Sequence, residues 1–204
     1  MDDQLALLRD TDVYLIDQIL RGRVPRGARV ADVGCGDGRN LPWFVSRGHE
    51  VLAIDLRRDA LVALLGRLAS LHLDALLVQT LGHAVEDADL PNGAADLVIS
   101  NAVLHFAEDD AHFDRMLEAT WRLVSPGGFL FARLASSVGV ADAAIAIGGG
   151  RYHLPDGSTR YLVDDDRLLR ATERMGGVLL DPIKTTVVQG MRAMATWVVG
   201  RPVD

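Results

Sequence analysis

Apolar positions along this chain follow two alternating periods. Leu5, Leu8, Ile16, Ile19 and Leu20 recur at helical spacing and predict a helix over 3–21, with a weak point near Asp10 to Asp12. Residues 29–33 read as a short strand, 34–38 as a glycine-rich loop, and 39–47 as a helix with Leu41, Phe44 and Val45 inward. Pro42 is tolerated in that helix's first turn and Gly48 stops it. A second strand over 50–54 and a helix over 59–69 follow; 74–85 holds a strand whose edges the pattern leaves open. Pro91-Asn92-Gly93 marks a turn, 96–100 a buried strand, and Asp109 and Asp110 cap a helix that runs to about Leu123. Residues 125–128 (Ser-Pro-Gly-Gly) predict a sharp turn into a strand over 129–133. Asp164 to Asp166 cap a helix ending at Gly176-Gly177, and two strand-like runs, 178–188 and 194–199, form an antiparallel hairpin. Short β-rich runs alternating with helical ones predict an α/β fold with a mostly parallel sheet. Met191, Met194 and Trp197 are spaced by three, yet they read here as sheet packing or a dimer surface.

The segment 135–163 breaks the alternation. It contains Gly148-Gly149-Gly150 and Pro155-Asp156-Gly157, and an excursion of that length inside a compact domain is usually functional. Its Arg151, Tyr152 and His153 follow the three glycines, as in a hinged substrate lid, with an ordinary solvated loop as the alternative.

Composition narrows the function. A chain of 204 residues has room for one domain, expected over 1–204. Its 21 basic and 28 acidic residues give a net charge of −7, which counts against holding nucleic acid by bulk charge. The lone Cys35 excludes an internal disulfide and a multi-cysteine zinc site, and the sequence shows no acid set matching catechol-type metal chelation, so no metal is expected. There is no basic-then-apolar leader, and the most apolar stretch, 60–78, contains Arg67, His72 and Asp74. The expectation is a cytoplasmic protein with no membrane association.

The chemistry concentrates in Val30-Ala31-Asp32-Val33-Gly34-Cys35-Gly36-Asp37-Gly38-Arg39-Asn40, a strand running into D-x-G-x-G-x-G. Glycines let the backbone turn tightly and approach a ligand, and a following helix start would point free N–H groups at it. A dinucleotide fingerprint needs G-x-G-x-x-G. Counted from Gly34, its third glycine would stand at 39, which is Arg39, and this counts against NAD. Asp55 ends the second strand, 17 residues after Gly38, where a carboxylate accepts from both ribose hydroxyls; capping the next helix is its alternative role.

Together these segments resemble the class I S-adenosylmethionine-dependent methyltransferases. The pattern comprises DVGCGDG at 32–38, the acid-ended strand 51–55, Leu90-Pro91 followed by 96–101 (DLVISN), and 123–130 (LVSPGGFL), in that order. Gly38-Arg39-Asn40 further resembles small bacterial tellurite-resistance-type methyltransferases. The resemblance implies a Rossmann-like, doubly wound, seven-stranded sheet with a C-terminal antiparallel hairpin, and S-adenosyl-L-methionine as cofactor. It places Asp32, Gly34 and Gly36, with Cys35 and Gly38 in the same loop, at the methionine end. Asp55 holds ribose, Leu56 packs on adenine, and Asn101 lies near the methionine amine through its backbone. Spacing favours Glu86 for the adenine edge, whereas an Asp–Ala pair favours Asp87, and both remain open.

The implied activity is methyl transfer to an O, N, S or metalloid atom of a small molecule, by a monomer or homodimer. Residues 101–104 (NAVL) lack the Asn/Asp-Pro-Pro-aromatic run of enzymes that methylate base amines, and Cys35 lies in the cofactor loop rather than where a pyrimidine C5 enzyme needs a nucleophile. His105 is a candidate general base or a packed histidine. Phe106 would cover the cofactor or pack in the core, Arg133 would meet an anionic substrate group or form an ion pair, and Tyr14 and Tyr152 would close the two sides of the acceptor site. The rival readings are a non-catalytic cofactor-binding or partner subunit of the same fold and, third, an NAD-linked oxidoreductase.

Overall fold

The computed structural model describes residues 3–203. Two short helices open the chain, α1 (Asp3–Leu8) and α2 (Val13–Leu20). The helix expected over 3–21 is divided at the weak point expected near Asp10 to Asp12, because the Asp12 carboxylate accepts the Tyr14 N–H and starts a new helix there. Then come β1 (Val30–Val33), α3 (Pro42–Ser46), β2 (Val51–Ile54), α4 (Arg58–Ser70), β3 (Val78–Leu81), β4 (Ala95–Asn101), α5 (Asp110–Arg122) and β5 (Val124–Ala135). Three short strands, β6 (Ile145–Gly148), β7 (Arg151–His153) and β8 (Thr159–Tyr161), precede α6 (Asp165–Arg174), β9 (Val178–Leu179), β10 (Lys184–Val188) and β11 (Arg192–Gly200).

The main sheet runs in the order β10-β11-β5-β4-β1-β2-β3. The five strands β3, β2, β1, β4 and β5 are mutually parallel, while β11 and β10 are antiparallel and the two-residue β9 adds an eighth strand against β11. Both faces are covered, so β1 is buried at every position. Alternation sorts the side chains of β4 and β5. Leu97, Ile99, Phe129 and Phe131 pack with Leu15 of α2, Phe44 of α3 and Leu64 of α4. Val98, Leu130 and Leu134 pack on the other face with Phe113 of α5 and Leu168 of α6. Trp197 of β11 joins the second core fully buried, its indole N–H donating to Thr172 Oγ1 at 3.0 Å. Met194 lies on the opposite face of the same strand, so the spacing of three is strand packing and not a helical stripe.

Local details depart from the pattern. The Ser-Pro-Gly-Gly segment is a bulge inside β5: β4 advances two residues from Ala95 to Leu97 while β5 advances five, from Val124 to Phe129. The Gly127 N–H donates to Arg201 O and the Arg201 N–H to Gly128 O, which keeps the bulge paired. The run 178–188 is interrupted at Asp181-Pro182, where Asp181 accepts from Arg23 and Gln18 at the end of α2.

Segment 135–163 is folded. Strands β6, β7 and β8 form a separate antiparallel sheet with a small core of Val140, Leu154 and Leu162 against Ala135 and Ala193. Its two stems meet: the Val163 N–H donates to Ala135 O and the Ser137 N–H to Val163 O. Tyr161 docks the sheet on α5 by stacking on Phe113 and donating to Asp110.

At the carboxyl ends of β4 and β5 the N-terminal segment is locked down. Arg133 donates through Nη1 to the buried Asp12 carboxylate at 2.7 Å and lies 4.7 Å over the Tyr14 ring. The Asp12 N–H donates to Asn40 Oδ1, and the Tyr14 hydroxyl meets Thr186 Oγ1 at 2.6 Å. Asp12→Ala removes a helix cap and leaves the Arg133 charge without its partner, so a loss of about 3 kcal/mol is expected in urea unfolding. A loss under about 1 kcal/mol contradicts this account of the lock.

Candidate functional site

The sheet's strand order reverses between β1 and β4, and a cleft of ≈ 610 Å³ opens at the carboxyl ends of the strands there. Its walls come from the residues that follow four strands. Gly34 and Gly36 follow β1; Asp55, Leu56 and Arg57 follow β2; His83 to Glu86 follow β3; Ala102, Val103 and Phe106 follow β4. His112 and Met116 of α5 complete the lining.

Gly34 and Gly36 shape one wall. The Gly34 and Cys35 N–H groups both donate to Ile54 O, which anchors the loop on β2. Gly34 has φ +67°, and a Cβ there would stand 2.2 Å from Val103. Gly36 has φ +56°, and a Cβ there would meet nothing within 4 Å because it faces the open cleft. Gly38 lies outside the lining, against Leu64 of α4. The helix expected over 39–47 is only α3, whose five residues begin at Pro42. No helix N-terminus faces the cleft from this loop; its wall is backbone.

Asp55 is the brace of the site. Its Oδ2 accepts the Gly36 N–H at 2.8 Å and its Oδ1 the Arg57 N–H at 2.9 Å, with the side chain 11% exposed at the cleft wall. One carboxylate thus ties the glycine loop to the turn into α4. Leu56 beside it is 71% exposed and presents an apolar surface to the cleft. Asp32 lies behind the loop, 1% exposed, with Oδ2 unpartnered. Burial pushes its carboxyl up to about 8, with the Asp55 charge acting the same way against Arg39. The Cys35 thiol is buried and its pKa is raised, chiefly by desolvation, so it is held as an inert thiol.

The two candidates for the far wall separate in space. Glu86 lines the cleft and its Oε1 meets His112 Nε2 at 2.9 Å; Asp87 is exposed and outside the lining. The Asn101 side chain is buried behind the cleft with Nδ2 unpartnered, while the next two residues line it. Ala102 takes φ +64°, a costly conformation for a residue with a Cβ, and its N–H donates to Arg133 O.

The acceptor-side candidates are dispersed. His105 is 5% exposed and outside the lining; its Nδ1 accepts the Ala135 N–H at 3.2 Å. Burial, with Arg160 nearby, lowers its pKa to about 4, so the ring is neutral with its proton on Nε2. Phe106 is 59% exposed at the cleft rim, under the Arg160 guanidinium at 4.9 Å. Arg133 and Tyr14 are joined in the N-terminal lock. Tyr152 is half-buried in β7 opposite Arg160, away from the cleft lining. Among the described residues no group of three or more His, Cys, Asp or Glu is arranged to hold a metal, and no helix is long and apolar enough to cross a membrane. Sequence reasoning missed His112, Met116, His83 and Arg160. For His112 a signal existed: Asp109-x-x-His112 has the spacing of a capping box, with histidine in the third helical position.

Comparison with known proteins agrees with this geometry. The family model described as a methyltransferase domain matches residues 31–132. An uncharacterised methyltransferase of Mycobacterium bovis is 37% identical over 115 residues, which cover 56% of this chain and 54% of that protein. The chain therefore spans about half the length of that relative. A ubiquinone biosynthesis O-methyltransferase of Chromobacterium violaceum is 32% identical over 167 residues, 78% of this chain and 68% of that protein. Among solved structures, the 1,6-didemethyltoxoflavin N1-methyltransferase of Burkholderia thailandensis, with S-adenosylhomocysteine bound, superposes with a TM-score of 0.68 at 18% identity. That superposition covers 92% of this chain and 76% of the other and shows a shared fold. The matched region contains the glycine loop, Asp55, Glu86 and Ala102, so the chain belongs to the methyltransferase-domain family.

Proposed function

We propose that the chain transfers a methyl group from S-adenosylmethionine to an O, N, S or metalloid atom of a small molecule. The observation that carries this reading is Asp55, held at the cleft wall by two backbone N–H groups beside the side-chain-free surface of Gly36. The fit to a nucleoside linked to an amino acid is good on chemical grounds. Asp55 offers carboxylate acceptors to ribose hydroxyls. Leu56, Val85 and Met116 offer apolar surface to a base, and Glu86 an acceptor to its amine. Gly34, Gly36 and the backbone at Ala102 leave room for the methionine end, with Asn101 and Asp32 behind it and Cys35 and Gly38 holding the loop.

Bound S-adenosylmethionine supplies a methyl already activated by its sulfonium. The chain has then to exclude water and align a nucleophile at about 3–3.5 Å. His105 does not suit the general-base role, because its Nδ1 lone pair is engaged by the Ala135 N–H and the remaining ring nitrogen carries the proton. The reading therefore favours an acceptor atom that needs no deprotonation by the protein before attack, such as an ionised oxygen or sulfur or a neutral nitrogen, under Phe106. The β6–β8 sheet, rooted beside the end of β5 and reaching Phe106 through Arg160, is proposed as the lid, with Tyr152 on it. Arg133 and Tyr14 serve the N-terminal lock that borders the acceptor side. One relative is named for O-methylation and the structural neighbour for N1-methylation, so both atoms fall within this proposal. The proposal extends to a single domain acting in the cytoplasm on a small molecule, as a monomer or homodimer, without nucleic acid or membrane.

Calorimetric titration with S-adenosylmethionine is expected to give saturable binding that NAD does not displace. Asp55→Ala should weaken it by about tenfold or more, the loss of one to two charge-assisted hydrogen bonds. A folded wild-type protein that binds no S-adenosylmethionine overturns the proposal, and binding without transfer to any acceptor favours a partner subunit.

The pH dependence of the ligand-free protein follows from Asp32. Its folded-state pKa of about 8 lies above the ordinary 3.8, so the folded chain keeps a proton that the unfolded chain releases. That stabilisation is complete below about pH 4 and is lost as pH rises through about 8, by at most about 1.4 kcal/mol per pH unit. Asp32→Asn should match wild type near pH 4 and melt at a higher temperature at pH 8. An equal or lower melting temperature for the variant at pH 8 contradicts the burial argument.

A further inference from the structure

His112 is built into the start of α5 and into the cleft wall at once. Asp109 caps α5, its Oδ1 accepting the His112 N–H at 2.7 Å. The imidazole folds back over the same turn, and its Nδ1 accepts the Glu108 N–H at 3.2 Å. A backbone N–H can only donate, so Nδ1 must carry the lone pair and Nε2 the proton. The Nε2–H then points to Glu86, whose Oε1 accepts at 2.9 Å. Glutamate or glutamine usually fills the third position of a capping box. Histidine makes its backward hydrogen bond one residue earlier, to the Glu108 N–H, and adds a donor aimed outward, which neither an aliphatic side chain nor a carboxylate would supply.

The partner of that donor is the acid on the cleft wall. Glu86 belongs to a short 3-10 turn, Val85–Asp87, with an N-terminus that has no side-chain cap. The His112 contact is the one side-chain hydrogen bond given to its carboxylate among the described residues, and both side chains are about one-fifth exposed. A carboxylate held at one oxygen by a donor of fixed tautomer keeps the other oxygen as a pure acceptor.

We propose that His112 is a positioning residue for the cofactor's base. By engaging Oε1 it fixes the Glu86 carboxylate so that Oε2 accepts from a purine 6-amino group, and it thereby sets the preference of the site for adenine over a 6-oxo purine. This inference rests on the proposed function, since it concerns the base of the same nucleoside.

The test measures binding of S-adenosylhomocysteine and S-inosylhomocysteine by calorimetry. The second ligand presents a carbonyl oxygen where the first presents the amine. Wild type should prefer the adenine ligand by about tenfold or more, because the oxo group faces a carboxylate it cannot pair with. His112→Phe and His112→Leu, two apolar replacements of different shape, should bring the two ligands within about threefold of each other. His112→Gln retains an acceptor for the Glu108 N–H and a donor for Glu86, and should restore most of the preference. In a Glu86→Gln background, His112→Phe should change the preference no further.

An apolar variant that melts cooperatively and keeps the wild-type preference overturns the inference. So does one that weakens both ligands equally, because a purely structural capping role predicts that result. Wild-type protein that binds both ligands equally well also overturns it, whereas wild-type protein that binds neither overturns the underlying function.

Discussion

Strand order reverses at β1, and the placement of every cleft residue follows from that reversal. From β1 the chain passes to β2 on one side, and β4 returns on the other side to pair with β1 in parallel. The connection after β1 leads to α3 on one face, while that after β4 leads to α5 on the opposite face. Two connections that part in this way leave a gap that no helix fills. Gly34, Asp55, Glu86 and Ala102 all stand within a few residues of a strand's end, so sheet register delivers them to the gap. Their positions are therefore as rigid as the hydrogen-bond ladder below them.

The two faces of the sheet meet this gap differently. On the α5 side Met116, backed by the buried Phe113 and Leu104, lines the gap beside the His112–Glu86 pair. On the α2 side lies a buried polar layer that includes Asp12, Asp32, Asn40 and Asn101. Two carboxylates in that layer have opposite circumstances. Asp12 is buried against a guanidinium and serves as a lock, whereas Asp32 has an oxygen without a partner and behaves as a weak acid. The unpartnered Asn101 Nδ2 and Asp32 Oδ2 mark where this fold forgoes stability close to its cleft.

The elements that could be read from the sequence are those whose periodicity matches their burial. Val30 to Val33 is an apolar run with one acid and becomes the central strand; the strand over 95–101 is similarly buried on both faces. The glycine loop and Asp55 were legible because the turn, the strand and the acid are close in sequence and their spacing reflects one intervening βα unit. For the helix over 3–21 the weak point near Asp10 to Asp12 was legible, while the capping hydrogen bond that makes it a division depends on where Arg133 and Asn40 hold Asp12. Strands β6 to β8 left almost no signal: each is three or four residues long, and their core of Val140, Leu154 and Leu162 takes one residue from each of several loops. Between Glu86 and Asp87 the sequence offered two conflicting signals, spacing for the first and the Asp–Ala pair for the second, and the contact that sets them apart is with a histidine 26 residues away on another element.

The paired stems of the 136–163 excursion have an evolutionary consequence. Ser136 and Val163 bridge to one another at the end of β5, so the chain leaves the sheet and rejoins it at almost one point. From the sheet's standpoint the whole excursion is a side branch grafted at a single node. Its length and composition can drift, or be exchanged for another segment, while the register between β4, β5 and β11 is preserved. Such an arrangement separates two constraints within one chain: a frame whose strand register must be kept, and an appendage whose remodelling leaves that register untouched.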